Sequence, residues 1–151
     1  MRLIIQRSPQ GSVVVDGETV GKEENGVVCL VGIHRDDKEE DLDWTVQKLL
    51  SFCLFDGDDG TPYKKSIVDV GGDILLVSQF TLYARLGSGR RPDFSRSMGN
   101  EAAGKVFEQF VDKVKAAYEP SRVQTGSFGA MMEVHILNDG PTTFTFDSAN
   151  K

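Results

Sequence analysis

Asp73-Ile-Leu-Leu-Val-Ser-Gln-Phe-Thr-Leu-Tyr-Ala84 is the stretch on which the fold turns. Ile74 to Val77 is an unbroken apolar run, of the length and type of a strand buried on both faces. Ser78, Gln79 and Thr81 follow at its end, with Phe80, Leu82 and Tyr83 interleaved. Polar side chains at the end of a core strand are held by the sheet yet can face a cleft, where small-molecule sites sit. Taken alone, Ser78 and Thr81 could equally do no more than bond neighbouring backbone.

The flanks supply the partners of that strand. Leu3-Ile-Ile5 predicts a first strand, ended by Ser8-Pro9-Gln10-Gly11. Val13 to Val15 and Thr19-Val20 flank Asp16-Gly17, a pair that reads as a tight hairpin. Gly26 to Ile33 is a second apolar run and a second central strand. Asp37, with Glu40 three residues on, reads as a capping box opening a helix, and Leu42, Val46, Leu49, Leu50 and Cys53 fall on its apolar face. Asp56-Gly-Asp-Asp-Gly60 lacks the alternate acidic ligands and closing glutamate of a calcium loop, so it reads as a solvated turn. Asn100 is placed as the cap of a second helix whose face runs from Ala103 through Phe107, Phe110 and Val114, with Pro120 as its stop. A short strand over 122–125 and an alternating pair around the turn Asn138-Asp-Gly-Pro141 complete the chain, with His135 read as structural. The sum is an α+β fold: one domain over residues 1–151, a mainly antiparallel sheet or barrel, and two principal helices.

Composition narrows the chemistry. In 151 residues, 39% hydrophobic content suits one domain with a real core. No apolar run reaches the length of a membrane span, and Met1-Arg2 brings charge too early for a signal peptide, so a cytoplasmic protein is expected. Cys29 and Cys53 lie in apolar contexts and read as reduced thiols. His34 and His135, the only histidines, have no second ligand at metal spacing and no triad around them. A net charge of −6 argues against a non-specific nucleic-acid coat. One stretch runs the other way: between Arg85 and Arg96 four arginines meet a single aspartate, in a glycine-bearing loop. Arginine forks match phosphate, which makes Arg90 and Arg91 candidate phosphate contacts; the alternative is a solvated loop.

Two motifs then carry a resemblance over essentially the whole chain: Ser78-Gln-Phe-Thr-Leu82, and Asn138-Asp-Gly-Pro141 with Thr143 beyond it. With Gln6-Arg7, Gly89-Arg-Arg-Pro-Asp-Phe94, Thr125-Gly126, Phe128-Gly-Ala130 and Met132, the sequence resembles the D-aminoacyl-tRNA deacylases. It departs from that pattern at Ser8-Pro9-Gln10, Cys53 and Thr142.

The resemblance implies a homodimer that hydrolyses tRNA mischarged with a D-amino acid, and glycyl-tRNA, with no cofactor and no metal. It places catalysis at Ser78, Gln79, Phe80 and Thr81. Substrate selection would fall to the partner's turn through Gly140, Pro141 and Asn138, with Arg7, Met132 and Leu82, and tRNA binding to Arg90 and Arg91. A cis Gly140–Pro141 bond, held by Arg7, is expected there. Other classes stay open: a non-enzymatic nucleic-acid-binding accessory protein, an esterase using Thr81 as nucleophile, or an inactive dimeric scaffold.

Overall fold

A computed structural model describes all of residues 1–151. Strand β1 spans Arg2–Val15 and turns through Asp16-Gly17 into β2, Glu18–Gly32. Both turn residues have positive φ, 50° and 82°, as a two-residue hairpin twisted with its strands requires. β1 does not stop at Ser8. Pro9 is tolerated inside it because β1's outer partners leave a gap there: one strand pairs with Arg2 to Gln6 and another with Gln10 to Val14. A residue without an N–H fits where no ladder bond is needed on that side.

Helix α1, Glu39–Ser51, leads to β3 (Cys53–Phe55), β4 (Lys65–Ser66) and the single turn α2 (Ile67–Val70). The expected capping box is displaced by one residue. Lys38 is the cap, and Asp41 Oδ2 accepts its N–H at 3.0 Å. Asp37 is engaged elsewhere, accepting from the Met1 ammonium and the His34 N–H. Cys53 likewise falls beyond the helix, in β3.

β5, Ile74–Ser78, is followed by a 3₁₀ turn over Phe80–Tyr83, then by the short hairpin β6 (Arg85–Leu86) and β7 (Pro92–Asp93). Helix α3 covers Asn100–Ala117 and buries Ala103, Phe107, Phe110, Val111 and Val114. Its cap is Gly99, and Asn100 makes no capping bond; its side chain reaches toward Gly129 instead. β8 (Val123–Thr125), β9 (Glu133–Leu137) and β10 (Thr143–Asp147) close the chain.

The main sheet has six strands in the order β10-β1-β2-β5-β8, with β9 also on β1. Pairings of β1 with β2, β9 and β10 are antiparallel; β2 with β5 and β5 with β8 are parallel. Parallel neighbours need a crossover, which α1 and α3 supply in turn. β5 is therefore central, and Ile74 to Val77 are buried. The helices pack one face of the sheet around Leu3, Ile5, Val27, Cys29, Leu76 and Phe110. A smaller cluster, Val13, Val28, Leu75 and Val77, lies on the other. Cys29 is buried and its thiol is pushed far up by burial, which leaves it inert. His135 lies in β9 with its side chain 63% exposed.

Candidate functional site

The end of β5 becomes a site because the sheet stops pairing there. Ser78 still sits opposite Val31, and the Gln79 N–H reaches Val31 O at 2.8 Å. The chain then coils into the Phe80–Tyr83 turn, closed by Leu82 N–H to Gln79 O and Ala84 N–H to Thr81 O. The opening N–H groups of such a turn, here those of Phe80 and Thr81, have no acceptor within it. Gly32 lets the turn sit so close, since a Cβ there would meet Leu82 Cβ at 2.9 Å.

Ser78, Gln79 and Phe80 form one wall of a cavity of about 600 Å³. Val31, Ile33 and Val77 lie beneath it, and the segment Phe128–Met132 stands opposite. Phe80 and Met131 are largely exposed, an apolar rim at an open site. The site turn is also held from the loop after β7. Ser97 Oγ donates to Phe80 O at 2.9 Å, and the Phe94 ring meets Phe80 edge-on at 4.9 Å. Gln79 Nε2 donates to Thr81 Oγ1 at 2.5 Å.

Of the sequence-derived candidates, Ser78, Gln79, Phe80 and Met132 line this one cavity, with Thr81 bonded to its wall. Leu82 faces away, into a separate space with Arg2, Ile4 and Trp44. Arg90 and Arg91 stand exposed where β6 turns into β7. Ser97 and Met131 are additions that only the fold identifies, and the fold brings the Phe128-Gly-Ala130 motif onto the cavity.

A second cluster forms around Arg7. Its N–H donates to Thr142 O at 3.0 Å, and its carbonyl accepts from the Asp139 N–H at 2.8 Å. Its guanidinium lies 2.9 Å from Asp139 Oδ2 and donates to Leu54 O at 3.0 Å. Asn138 Oδ1 accepts from Thr142 N–H while its amide donates to Thr143 Oγ1. The Gly140–Pro141 peptide is cis and Gly140 has φ +114°. A Cβ at Gly140 would lie 2.6 Å from Thr142 Oγ1, so only glycine fits. The Gly140 and Pro141 carbonyls accept no hydrogen bond within the chain.

The register separates the two clusters. Ser78 pairs with Val31 and Ile74 with Val27, while Arg7 pairs with Val27 and Leu3 with Val31. The Arg7 turn is therefore at the Ile74 end of the sheet, four strand residues, roughly 13 Å, from the Ser78 end. Within one chain the two motifs stand at opposite ends.

The fold is thus a mixed α+β sheet with a donor-rich turn after β5 and a Gly-Pro turn at the other end of the sheet. Residues 4–147 match the sequence profile described as D-Tyr-tRNA(Tyr) deacylase. The D-aminoacyl-tRNA deacylase of Kluyveromyces lactis is 45% identical over 148 residues, 98% of this chain and 99% of that protein. That of Thermosipho africanus is 43% identical over 148 residues, 98% of this chain and 97% of its own. Among solved structures, "c-Myc DNA Unwinding Element Binding Protein" superposes with a TM-score of 0.94 at 37% identity, covering 97% of this chain and 98% of its own. The chain belongs to the D-aminoacyl-tRNA deacylase family.

Proposed function

We propose that the protein hydrolyses the ester of D-aminoacyl-tRNA, and of glycyl-tRNA mischarged on tRNA(Ala), as a cytoplasmic homodimer. The observation that carries the reading is the opposite-end placement of the two motifs. Neither makes a site alone, and an antiparallel pair of copies brings the turn of each to the other's β5 end.

In that arrangement the terminal adenosine and amino acid occupy the cavity beside Phe80. Water attacks the ester carbonyl carbon, and the developing oxyanion meets the Phe80 and Thr81 N–H groups. The C–O bond to the ribose breaks, the ribose oxygen takes up a proton, and free tRNA and the amino acid leave. An aminoacyl ester is already activated, so positioning and oxyanion donors suffice, with the neighbouring ribose hydroxyl as the proton partner. The carbonyls of Gly140 and Pro141 from the second copy accept from the substrate ammonium. Their rigid backbone stands where an L side chain would project. Glycine has no side chain to meet it, so glycyl-tRNA is admitted. Asn138 and Arg7 hold that turn, Met132 lines the pocket, and Arg90 and Arg91 contact acceptor-stem phosphates.

Two measurements test this. Purified protein should hydrolyse D-Tyr-tRNA and spare L-Tyr-tRNA; equal rates on both remove the chirality filter. It should also run near twice its 16.6 kDa mass. A fully active monomer removes the shared site. Similarity to a DNA-unwinding-element binding protein at 37% identity supports a second reading, nucleic-acid binding through the arginine loop. Duplex DNA binding with steep salt dependence and no ester turnover would favour it.

A further inference from the structure

We propose that Arg2 is a positioning residue for the reaction: its guanidinium clamps the back of the Phe80–Tyr83 turn to the end of β10 and so holds the Phe80 and Thr81 N–H groups at the cavity. The inference rests on the deacylase reading of that turn.

Three contacts carry it. Arg2 Nη1 donates to Leu82 O at 2.9 Å. Arg2 Nε donates to Asp147 Oδ2 at 2.8 Å. The same guanidinium lies over the Tyr83 ring, 4.5 Å from its centroid. One planar fork thus joins two backbone segments far apart in the chain, which a lysine point charge cannot do.

Asp147 is itself fixed, since its Oδ1 accepts from the Ala149 N–H at 3.0 Å. Burial pushes its carboxyl up, but the Arg2 and Ala149 donors outweigh burial and hold it below the usual carboxylate range. Beneath the turn, Tyr83 is buried and its ring meets His34 edge-on at 5.0 Å. The turn needs such an external hold. It has one helical turn of its own, and short 3₁₀ segments are weakly bonded. Ser97 and Phe94 secure the Phe80 side; Arg2 secures Leu82 and Tyr83. A loosened turn misplaces the oxyanion donors and not the groups that bind tRNA.

The test uses full-length Arg2→Ala and Arg2→Lys proteins with two readouts. Amide hydrogen exchange at Leu82 and Ala84 should quicken about tenfold or more in Arg2→Ala, with Leu75 to Val77 unchanged. On D-Tyr-tRNA, kcat should fall about 10- to 100-fold while KM stays within about twofold. Arg2→Lys should recover little of either. Unchanged exchange at Leu82 and Ala84 overturns the clamp. So does quickening shared equally by β5, which would make Arg2 a general stabiliser, and so does full rescue by Arg2→Lys. A wild-type protein that cleaves no D-aminoacyl-tRNA overturns the proposed activity instead; the exchange pattern then decides the clamp by itself.

Discussion

Gln79 Nε2 donates to Thr81 Oγ1 at 2.5 Å, so the Thr81 hydroxyl is engaged by an amide and not by a base. An amide takes up no proton, and no histidine or carboxylate is bonded to Thr81. An unactivated hydroxyl is a weak nucleophile. Thr81→Ala should therefore keep D-aminoacyl-tRNA hydrolysis within about tenfold of wild type. A loss of roughly a thousandfold or more in a folded variant, or a trapped acyl adduct on Thr81, would restore the nucleophile.

Arg7 holds the Gly-Pro turn through Asp139, with its side chain 16% exposed. Arg7→Ala should lower unfolding free energy by about 1–3 kcal/mol, since it strips Leu54 O of its donor and Asp139 of its charge partner. Urea denaturation measures the loss. A double-mutant cycle with Asp139→Asn should show coupling between the two residues. Strict additivity would mean that the Arg7 side chain does not act through the turn.

The β6–β7 hairpin carries Arg90 and Arg91 into solvent. Replacing both with alanine should raise KM for charged tRNA and flatten its dependence on salt. Hydrolysis of a short aminoacyl-adenosine should be untouched. Equal damage to that fragment would show that the loop serves the fold and not phosphate binding.

Glu23 is buried, and neither carboxyl oxygen has a hydrogen-bond partner in good geometry. Burial raises its pKa above the ordinary 4.5, offset in part by Ser8 and the Gly26 N–H and reinforced by Asp73 and Glu24. The folded state therefore holds the proton more tightly than the unfolded chain. Its contribution is fully present below the unfolded pKa and is lost as pH rises through the folded value. Glu23→Gln should remove that decline and be more stable at alkaline pH by on the order of 1 kcal/mol. Thermal unfolding across pH measures it; identical slopes for both proteins would place the proton elsewhere.

Much of the architecture is readable from local pattern. Apolar runs mark β5 and the second half of β2, Asp16-Gly17 marks the β1–β2 hairpin, and helical spacing marks α1 and α3. Where local pattern misleads, it misleads about partners. Ser8-Pro9-Gln10 looks like a break, yet it falls in the gap between β10 and β9 on β1, which no local pattern reveals. Asp37 has the spacing of a capping box but is claimed by the chain's first residue. Leu82 belongs to a motif, yet the 3₁₀ turn points it away from the cavity that Ser78 to Phe80 line.

By itself the sequence determined the main strands, the two long helices and the Asp16-Gly17 turn, because periodicity and turn chemistry act over a few residues. It also supplied the two motifs that carry the candidate site. Tertiary structure alone decided where those motifs stand. The ladder Arg7–Val27–Ile74 sends the Gly-Pro turn to one end of the sheet and leaves Ser78 at the other. It decided the supports as well: Ser97 beneath Phe80, and Arg2 joining Leu82 to Asp147, 80 and 145 residues away in the chain. A hydrogen bond requires only that two groups meet in space, and strand pairing sets that meeting irrespective of their separation along the chain.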